Sequence, residues 1–191
     1  MDYLIVIIIS YSLGSIPFGL LLTKFFLNKD IRTIGSGNIG ATNVLRSGNK
    51  ILGYATLFFD IIKGVLPVIY VKFYHAEFIY ISSLSVFLGH VFPVWLKFNG
   101  GKGVATYIGI LFSINLIYGL VFGIVWILIF LFSKYSSLAS LVASFSIPIY
   151  VFIFNEDQPI FFIIMFVLIF YTHRENIKRL KNKEESKSKI Y

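Results

Sequence analysis

Long apolar blocks separated by short polar links dominate the chain. Six blocks cover residues 3–26, 51–73, 78–96, 107–132, 138–154 and 159–171. A bilayer core of about 30 Å needs roughly 20 apolar residues in a helix, and most blocks approach or exceed that length. Because lipid offers the backbone no hydrogen-bond partners, each block is predicted to be helical. No block alternates with the period of two that a membrane barrel requires. The predicted fold is therefore an all-α, polytopic membrane bundle.

The distribution of Lys and Arg predicts which links face the cytoplasm. Basic residues occur in links 27–50 and 97–103 and at Lys134, whereas links 74–77 and 155–158 have acids and no Lys or Arg. By the positive-inside rule, the first group is cytoplasmic and the second is external. Lys72, just before an external link, departs from this pattern. Every glycine-rich or strongly polar loop is thereby predicted to be cytoplasmic.

Block 107–132 lies between two links that are both predicted to be cytoplasmic, so it crosses the membrane twice or not at all. Asn115 and Gly119, near its middle, are candidates for a break. Each half of about 13 residues would rise only about 20 Å, which is short for a span. The prediction is seven spans, with the N-terminus outside and the C-terminus cytoplasmic. Five spans plus a re-entrant hairpin is the alternative.

Composition agrees with a membrane protein. The chain is 57% hydrophobic and 14% charged, with a mean hydropathy of +0.82, whereas soluble domains are about 45–50% apolar and about 25% charged. Seven of the 17 Lys and Arg residues follow position 173, in a chain whose net charge is +8. This tail, residues 174–191, is interpreted as a cytoplasmic anchor that attracts anionic lipid head groups. It lacks the interleaved aromatic residues of a nucleic-acid site.

The remaining composition defines the domain and excludes some chemistry. The start, MDYL, carries an acid and no basic n-region, so the first block is predicted to be a retained span and not a signal peptide. One membrane domain, residues 1–173, is predicted, with cytoplasmic active-site loops 27–50 and 97–106. The absence of cysteine excludes disulfides, thiolate metal sites and a cysteine nucleophile.

The first polar motif is GSGNIGATN at residues 35–43, followed by Arg46. It fits G-x-G-x-x-G, but a dinucleotide site needs a preceding strand and an acid about 20 residues later. Here a membrane block precedes the motif, and Asp60 lies inside the next block. The glycines still expose backbone N–H groups to an anion, and the neighbouring side chains add phosphate donors. A plain flexible loop is the alternative.

The second motif is FNGGKGVAT at residues 98–106. A nucleotide-binding P-loop would require glycine at Leu96 and Ser or Thr at Gly103, so that interpretation fails. Exposed amides, the Lys102 ammonium and a helix predicted to begin near Val104 still suit an anion. His90, upstream in an apolar block, is interpreted as a partner for a neighbouring helix or as part of the site.

The third motif is HREN at residues 173–176, where the last block ends. If the segment is helical, His173 and Asn176 share a face. The neutral-range pKa of histidine makes His173 a candidate general base, with a basic interfacial collar as the alternative. Within block 51–73, Asp60 and Lys63 are spaced to form an ion pair, which reduces the cost of charge in lipid.

Together these motifs resemble those of the bacterial acyl-phosphate:glycerol-3-phosphate acyltransferase family (PlsY), in the same order and over nearly the whole chain. The resemblance implies transfer of a fatty acyl group from acyl phosphate to the sn-1 hydroxyl of glycerol 3-phosphate, without an acyl-enzyme. The product would be lysophosphatidic acid, in phospholipid synthesis at the bacterial inner membrane. It also implies a soluble acyl-phosphate-making enzyme as functional partner.

Site residues follow from this resemblance and from the residue types. The expected catalytic residues are Ser36, Arg46, His173 and Asn176. The expected substrate-binding residues are Asn38, Gly40, Thr42, Asn43, Gly100, Gly101, Lys102, Gly103, Thr106 and Ser140. The expected structural residues are Asp60, Lys63 and Glu175. The proton acceptor is His173 or a phosphate oxygen of the substrate.

A thioester-dependent acyltransferase would carry H-x-x-x-x-D, but the fifth residues after His75, His90 and His173 are Tyr80, Trp95 and Lys178. This favours acyl phosphate over acyl-CoA or acyl carrier protein as donor. No metal, cofactor or nucleic acid is expected, and the protein is expected to be a monomer. A transporter of a phosphorylated metabolite is the alternative, although the chain shows no repeated halves. A non-catalytic membrane scaffold would not need three dense polar motifs.

Overall fold

A computed structural model describes residues 2–187, so Lys189 of the basic tail lies outside the described residues. Over the described range the chain is helical and forms no strand, which confirms the predicted all-α fold. Short 3-10 turns cover Ile31–Thr33, Ala76–Phe78 and Val94–Leu96. The α-helices are α1 (Tyr3–Gly14), α2 (Phe18–Leu27), α3 (Ala41–Arg46), α4 (Lys50–Tyr74), α5 (Ile79–Val91), α6 (Val104–Ile114), α7 (Leu116–Ser133), α8 (Ser136–Ile153), α9 (Pro159–Thr172) and α10 (Arg174–Lys181).

Five stretches of the described chain are long and apolar enough to cross a membrane. They are Tyr3–Leu27, Lys50–Tyr74, Ala76–Leu96, Leu116–Ser133 and Ser136–Ile153. Helices α9 and α10 provide a sixth if they form one span, although they are bent by 61°. The apolar helix α6 is shorter, with 11 residues. The count of seven spans and the orientation of the termini therefore stay predictions.

The long apolar blocks are interrupted where the backbone chemistry requires it. Asn115 separates α6 from α7 in an extended conformation, and its side chain accepts a hydrogen bond from the Ile117 amide at 2.9 Å. The predicted break is thus at Asn115, while Gly119 lies inside α7. The first block divides before Pro17, and α5 ends at Val91, shortly before Pro93, because proline disfavours a helical residue before it.

The chain divides into two compact units, with the boundary between Ile114 and Asn115. In the first unit, glycines allow helices to approach closely. A Cβ on Gly14 would overlap the Val86 backbone of α5, and one on Gly64 would overlap the Thr106 carbonyl of α6. Close approach at small residues is the usual means of packing helices in lipid. These contacts fix α4 beside α6 and bring Thr106 of the second motif against α4.

The second unit is packed around one stripe of α8. Ala139, Ala143, Ile147 and Val151 recur every fourth residue and are fully buried, as expected for one face of a helix. Helix α9 contributes buried apolar side chains to the same unit, among them Met165. Large apolar side chains also point outward from both units, as expected where a surface contacts lipid. Extreme cases are Phe25, Ile51, Phe132 and Phe152.

Candidate active site

Asn43 organises the first motif from inside the loop. Its Nδ2 donates to the carbonyl oxygens of Ile31, Ile34 and Asn38 at 3.1, 2.9 and 2.8 Å. Its Oδ1 accepts from the Ser36 amide at 3.0 Å, and the residue is buried. Both the nitrogen and the oxygen of this amide therefore bond backbone groups of the loop. Asn43 stabilises the loop, and its predicted substrate-binding role stays a prediction.

The remaining side chains of the first motif surround this amide. Ser36 is exposed, whereas Asn38, Thr42 and Arg46 are half-buried. Asn38 Oδ1 accepts from the Gly40 amide at 2.8 Å, which shapes the turn that enters α3. Gly35 and Gly37 have φ of 56° and 71°, values that favour glycine. The motif is thus a compact turn with one exposed hydroxyl and one arginine at its end.

An ion pair fixes the segment that leads into the first motif. The Asp30 carboxylate accepts from Arg32 through Nε and Nη2, at 2.9 and 2.6 Å. It also accepts from the Arg32 amide and so caps the 3-10 turn Ile31–Thr33. These bonds from Arg32 lower the pKa of Asp30 to about 2. The carboxylate therefore remains ionised and the turn remains capped at any physiological pH.

The second motif packs against the backbone and the ring of His90. The amides of Gly100 and Gly101 donate to the carbonyls of Val91 and His90 at 3.0 and 3.1 Å. The His90 ring lies where a Cβ on Gly101 would stand, and the Phe87 ring occupies the corresponding space at Gly103. Gly103 also has φ of 85°. Glycine is required at both positions because an added methyl group would overlap an aromatic ring.

Side chains of the second motif differ in burial. Lys102 is half-buried. Thr106 is fully buried, and its Oγ1 finds no hydrogen-bond partner among residues 2–187. Leu96, just before the motif, packs against a buried cluster that includes Ile39 of the first motif and Val44, which follows that motif. The first unit thus joins its two glycine-rich loops through one apolar cluster.

The predicted pair between Asp60 and Lys63 is present beneath the second motif. Lys63 Nζ lies 2.8 Å from Asp60 Oδ1, and both side chains are buried. Lys63 Nζ also donates to the carbonyl of Ile16 at 2.8 Å, between α1 and α2. His90 Nδ1 stands 3.8 Å from Asp60 Oδ1, too far for a direct hydrogen bond. The ion pair therefore links α4 to the break after α1.

His173 stands at the bend between α9 and α10 and not inside one helix with Asn176. It is buried, with φ of −97° and ψ of 7°. Its Nδ1 lies 2.8 Å from the Ile169 carbonyl. A carbonyl only accepts, so Nδ1 carries the proton and Nε2 is the basic nitrogen of the neutral ring. This tautomer is the one that a general base acting through Nε2 requires.

Asn176 is held by a residue that the sequence reasoning missed. Its Nδ2 donates to Glu185 Oε1 at 2.7 Å, and Ser137 Oγ donates to the same oxygen at 2.8 Å. Arg179 Nε donates to Glu185 Oε2 at 2.7 Å. The only sequence feature that points to Glu185 is the pair of acids, Glu184 and Glu185, inside a basic tail. Nothing in the sequence shows that this tail returns to α8.

Ser140 and Glu175 complete the predicted set. Ser140 is buried in α8, where its Oγ donates to the Ser136 carbonyl at 2.8 Å and accepts from Trp126 Nε1 at 3.1 Å. Glu175 is exposed in the first turn of α10, where a negative charge favours the helix N-terminus. Neither position tests the role assigned to it, so both assignments stay predictions.

The first two motifs thus lie in the unit that ends at Ile114, and the third lies in the unit that begins at Asn115. Each unit brings its own residues together as described. The convergence of all three motifs on one site stays a prediction. Within residues 2–187, no three His, Asp or Glu side chains are grouped closely enough to hold a metal ion.

Known proteins resemble this chain over its full length. The family model described as glycerol-3-phosphate acyltransferase matches residues 4–183. A glycerol-3-phosphate acyltransferase of Pelagibacter ubique (strain HTCC1062) is 71% identical and covers 100% of both chains. One from Rhodopseudomonas palustris (strain HaA2) is 49% identical over 97% of this chain and 95% of that protein.

Solved structures agree with the sequence relatives. The crystal structure of PlsY, an integral membrane glycerol 3-phosphate acyltransferase, in its glycerol 3-phosphate form has a TM-score of 0.91 and 38% identity. It covers 97% of this chain and 94% of that one. The lysophosphatidic acid form of PlsY has a TM-score of 0.88 at the same identity and coverage. The chain is a multi-span integral membrane protein and belongs to the glycerol-3-phosphate acyltransferase family.

Proposed function

We propose that this protein transfers a fatty acyl group from acyl phosphate to the sn-1 hydroxyl of glycerol 3-phosphate. The products are 1-acyl-glycerol 3-phosphate and inorganic phosphate. The observation that carries the proposal is full-length family membership together with a 38% identical structure solved in glycerol 3-phosphate and lysophosphatidic acid forms. The choice of acyl phosphate rests on the missing H-x-x-x-x-D sequence and on two glycine-rich anion loops, which match two phosphate-bearing substrates.

The proposed reaction is a direct transfer. The sn-1 oxygen attacks the acyl carbonyl carbon, the bond from that carbon to the phosphate oxygen breaks, and phosphate leaves with the electron pair. The hydroxyl proton passes to Nε2 of His173 or to a phosphate oxygen of the substrate. Arg46 and Lys102 supply positive charge to the two phosphates, and Ser36 supplies a hydroxyl donor. Because acyl phosphate is an activated anhydride, positioning and charge stabilisation provide most of the rate increase.

The proposed setting follows from charge and composition. The glycine-rich loops and the basic tail lie on the cytoplasmic side of the bacterial inner membrane. The lipid bilayer holds the acyl donor, and a soluble acyl-phosphate-making enzyme supplies it from the cytoplasm. The protein acts as a monomer.

A two-substrate assay tests this function. Purified protein in detergent or lipid receives glycerol 3-phosphate with palmitoyl phosphate, and both phosphate and lysophosphatidic acid are measured. Equal amounts of the two products are expected. Phosphate release that persists without glycerol 3-phosphate would show that the protein hydrolyses acyl phosphate and does not transfer the acyl group. Equal rates with palmitoyl-CoA would contradict the donor.

The pH profile separates the two candidate proton acceptors. If Nε2 of His173 takes the proton, His173→Ala lowers kcat by about a hundredfold, within the usual contribution of a general base. The variant also loses the dependence of kcat on pH between pH 6 and 8. His173→Gln is the matched variant, since it retains a polar side chain. A His173→Ala enzyme that keeps its full rate across this range would assign the proton to substrate phosphate.

A further inference from the structure

The C-terminal tail returns to the second unit and buries one carboxylate there. After α10 the chain turns at Lys183, whose φ is 61°, and the Glu184 amide donates to the Arg179 carbonyl at 2.8 Å. This turn directs Glu185 toward α8, and only 6% of its side chain is exposed. The preceding residue, Glu184, is exposed, and its side chain makes no such contact within residues 2–187. The two adjacent acids therefore have different environments.

The Glu185 carboxylate is matched by donors on two helices. Oε1 accepts from Ser137 of α8 and Asn176 of α10, and Oε2 accepts from Arg179. Burial alone would raise the pKa of Glu185, but the hydrogen bonds from Arg179, Asn176 and Ser137 outweigh it and lower the pKa. The group is therefore an anion at neutral pH. Since an ionised carboxylate only accepts, it fixes which end of the Asn176 amide faces it.

We propose that Glu185 is a positioning residue for acyl transfer, because it orients the Asn176 side chain and fastens α10 to the start of α8. This inference rests on the proposed function, in which Asn176 belongs to the reaction site. Glu185 itself does not touch substrate in this proposal. Asn176 Nδ2 faces the carboxylate, which leaves Oδ1 on the opposite side of the amide. Without Glu185 the amide loses the acceptor that fixes the direction of Nδ2, and productive geometry is populated less often.

A double-mutant cycle tests the coupling. Glu185→Ala, Asn176→Ala and the double variant are compared with the unmodified protein in the palmitoyl phosphate assay. Glu185→Ala is expected to lower kcat by about tenfold, within the range for small misplacements of a reacting group. The KM for glycerol 3-phosphate should change much less. In the Asn176→Ala background, removal of Glu185 should have no further effect on kcat, because residues that act through each other are not additive.

Two further variants serve as controls. Glu184→Ala removes an exposed acid one position away and should retain the full rate. Glu185→Gln keeps an oxygen acceptor for Asn176 but loses the charge that pairs with Arg179, so its kcat should lie between those of the unmodified protein and Glu185→Ala. This conservative variant also provides the test if Glu185→Ala does not fold.

Two results would overturn the role proposed for Glu185, and a third would contradict the proposed function. An equal further loss of kcat in the Asn176→Ala background would show that Glu185 acts independently of Asn176 and would overturn the proposal. A rise in kcat for Glu185→Ala or Glu185→Gln would also overturn it, since the tail would then obstruct the site. An unmodified protein that makes no lysophosphatidic acid would contradict the proposed function itself. Failure of the function is thus distinct from failure of the coupling.

Discussion

Asn43 shows how one buried amide can hold a whole glycine-rich loop together. Three backbone carbonyls converge on its Nδ2, and its Oδ1 holds the Ser36 amide. A buried polar group with all its partners is stabilising, while loss of one member leaves the others unpaired and buried. The exposed Ser36 hydroxyl depends on this arrangement for its position. Loop formation and substrate contact are therefore separable by mutation.

Asn43→Ala should unfold the first loop. Removal of this amide leaves the Asn38 carbonyl without its donor, while those of Ile31 and Ile34 keep only a backbone donor. We expect a loss of about 1–3 kcal/mol of stability. Thermal unfolding in detergent measures this loss. Ser36→Ala is the matched control, because Ser36 bonds Asn43 through its backbone N–H, which alanine retains. It should unfold at the unmodified temperature but lose activity. Equal unfolding temperatures for both variants would contradict the structural role of Asn43.

Residue types in the first two motifs predict anion binding, and those in the third predict a general base, but the partners of these residues are not predictable from the sequence. Asn43 was expected to donate to substrate, and only the folded loop shows its amide surrounded by backbone. Gly101 is predicted from the sequence to expose its amide, but that amide donates to the His90 carbonyl. Glycine is required there because the His90 ring occupies the space beside it. Glu185 lies outside all three motifs. Partners of this kind depend on tertiary packing, which local sequence does not encode.

At the scale of a helix, α4 depends on one internal ion pair. Asp60 and Lys63 are both buried in the span, and Lys63 also donates to the Ile16 carbonyl at the break between α1 and α2. That break leaves backbone groups without helical partners, and in lipid such groups need another donor. Lys63 therefore pairs with the Asp60 carboxylate and also donates to a carbonyl at the break in the first span. Removal of either charge alone leaves the other one unpaired inside the membrane domain.

Lys63→Met should destabilise the protein by about 3–5 kcal/mol, since it leaves the Asp60 carboxylate buried without its cation. The double variant Asp60→Asn with Lys63→Met removes both charges and should recover much of that loss. Denaturation in detergent micelles gives both values. Lys72→Met on the same helix is the comparison variant, because Lys72 bonds the Ser113 and Ile114 carbonyls and, within residues 2–187, contacts no acid. Any loss that it causes comes from the end of α6 and should not be recovered by Asp60→Asn. A double variant no more stable than Lys63→Met would refute the ion-pair explanation.

The helices were predicted better than their ends. Apolar blocks identified each long helix, and a polar residue in an apolar run correctly marked the break at Asn115. The interruption near Pro17 was not predicted, because proline is frequent in membrane helices and often only bends them. At this site the Lys63 contact makes a full break tolerable. Helix existence follows from local composition, whereas a tolerated break depends on a partner 47 residues away.

At the scale of the whole chain, the position of α6 in the bilayer distinguishes seven spans from five spans with a re-entrant hairpin. Helix α4, with 25 residues, rises about 38 Å and can cross the membrane alone. Helix α6 lies beside it, with Thr106 packed at Gly64 and with Lys72 Nζ bonded to the carbonyls of Ser113 and Ile114 at 2.9 Å. Helix α6 thus runs from the middle of α4 to its last turn. The charge of Lys72, which departs from the positive-inside pattern, caps the end of this short helix.

This geometry favours seven spans and makes a labelling prediction. If α4 begins in the cytoplasm, its last turn is external, and so is the end of α6. Because the chain has no cysteine, Leu116→Cys introduces a unique thiol at a side chain that is 63% exposed. A membrane-impermeant maleimide should label it in intact spheroplasts. Asp157→Cys should also react from outside, and Lys183→Cys only in inverted vesicles.

A re-entrant hairpin would give a different result with the same variants. Leu116→Cys would then lie within the bilayer or on the cytoplasmic side, and the reagent would not reach it from outside, although Asp157→Cys still reacts there. Labelling of Lys183→Cys in intact spheroplasts would instead reverse the whole orientation. Helix α6 has only 11 residues, which rise about 16 Å. Seven spans therefore require that the second glycine-rich loop enter the membrane to reach the start of α6, which would bring the loop closer to an acyl donor held in the bilayer.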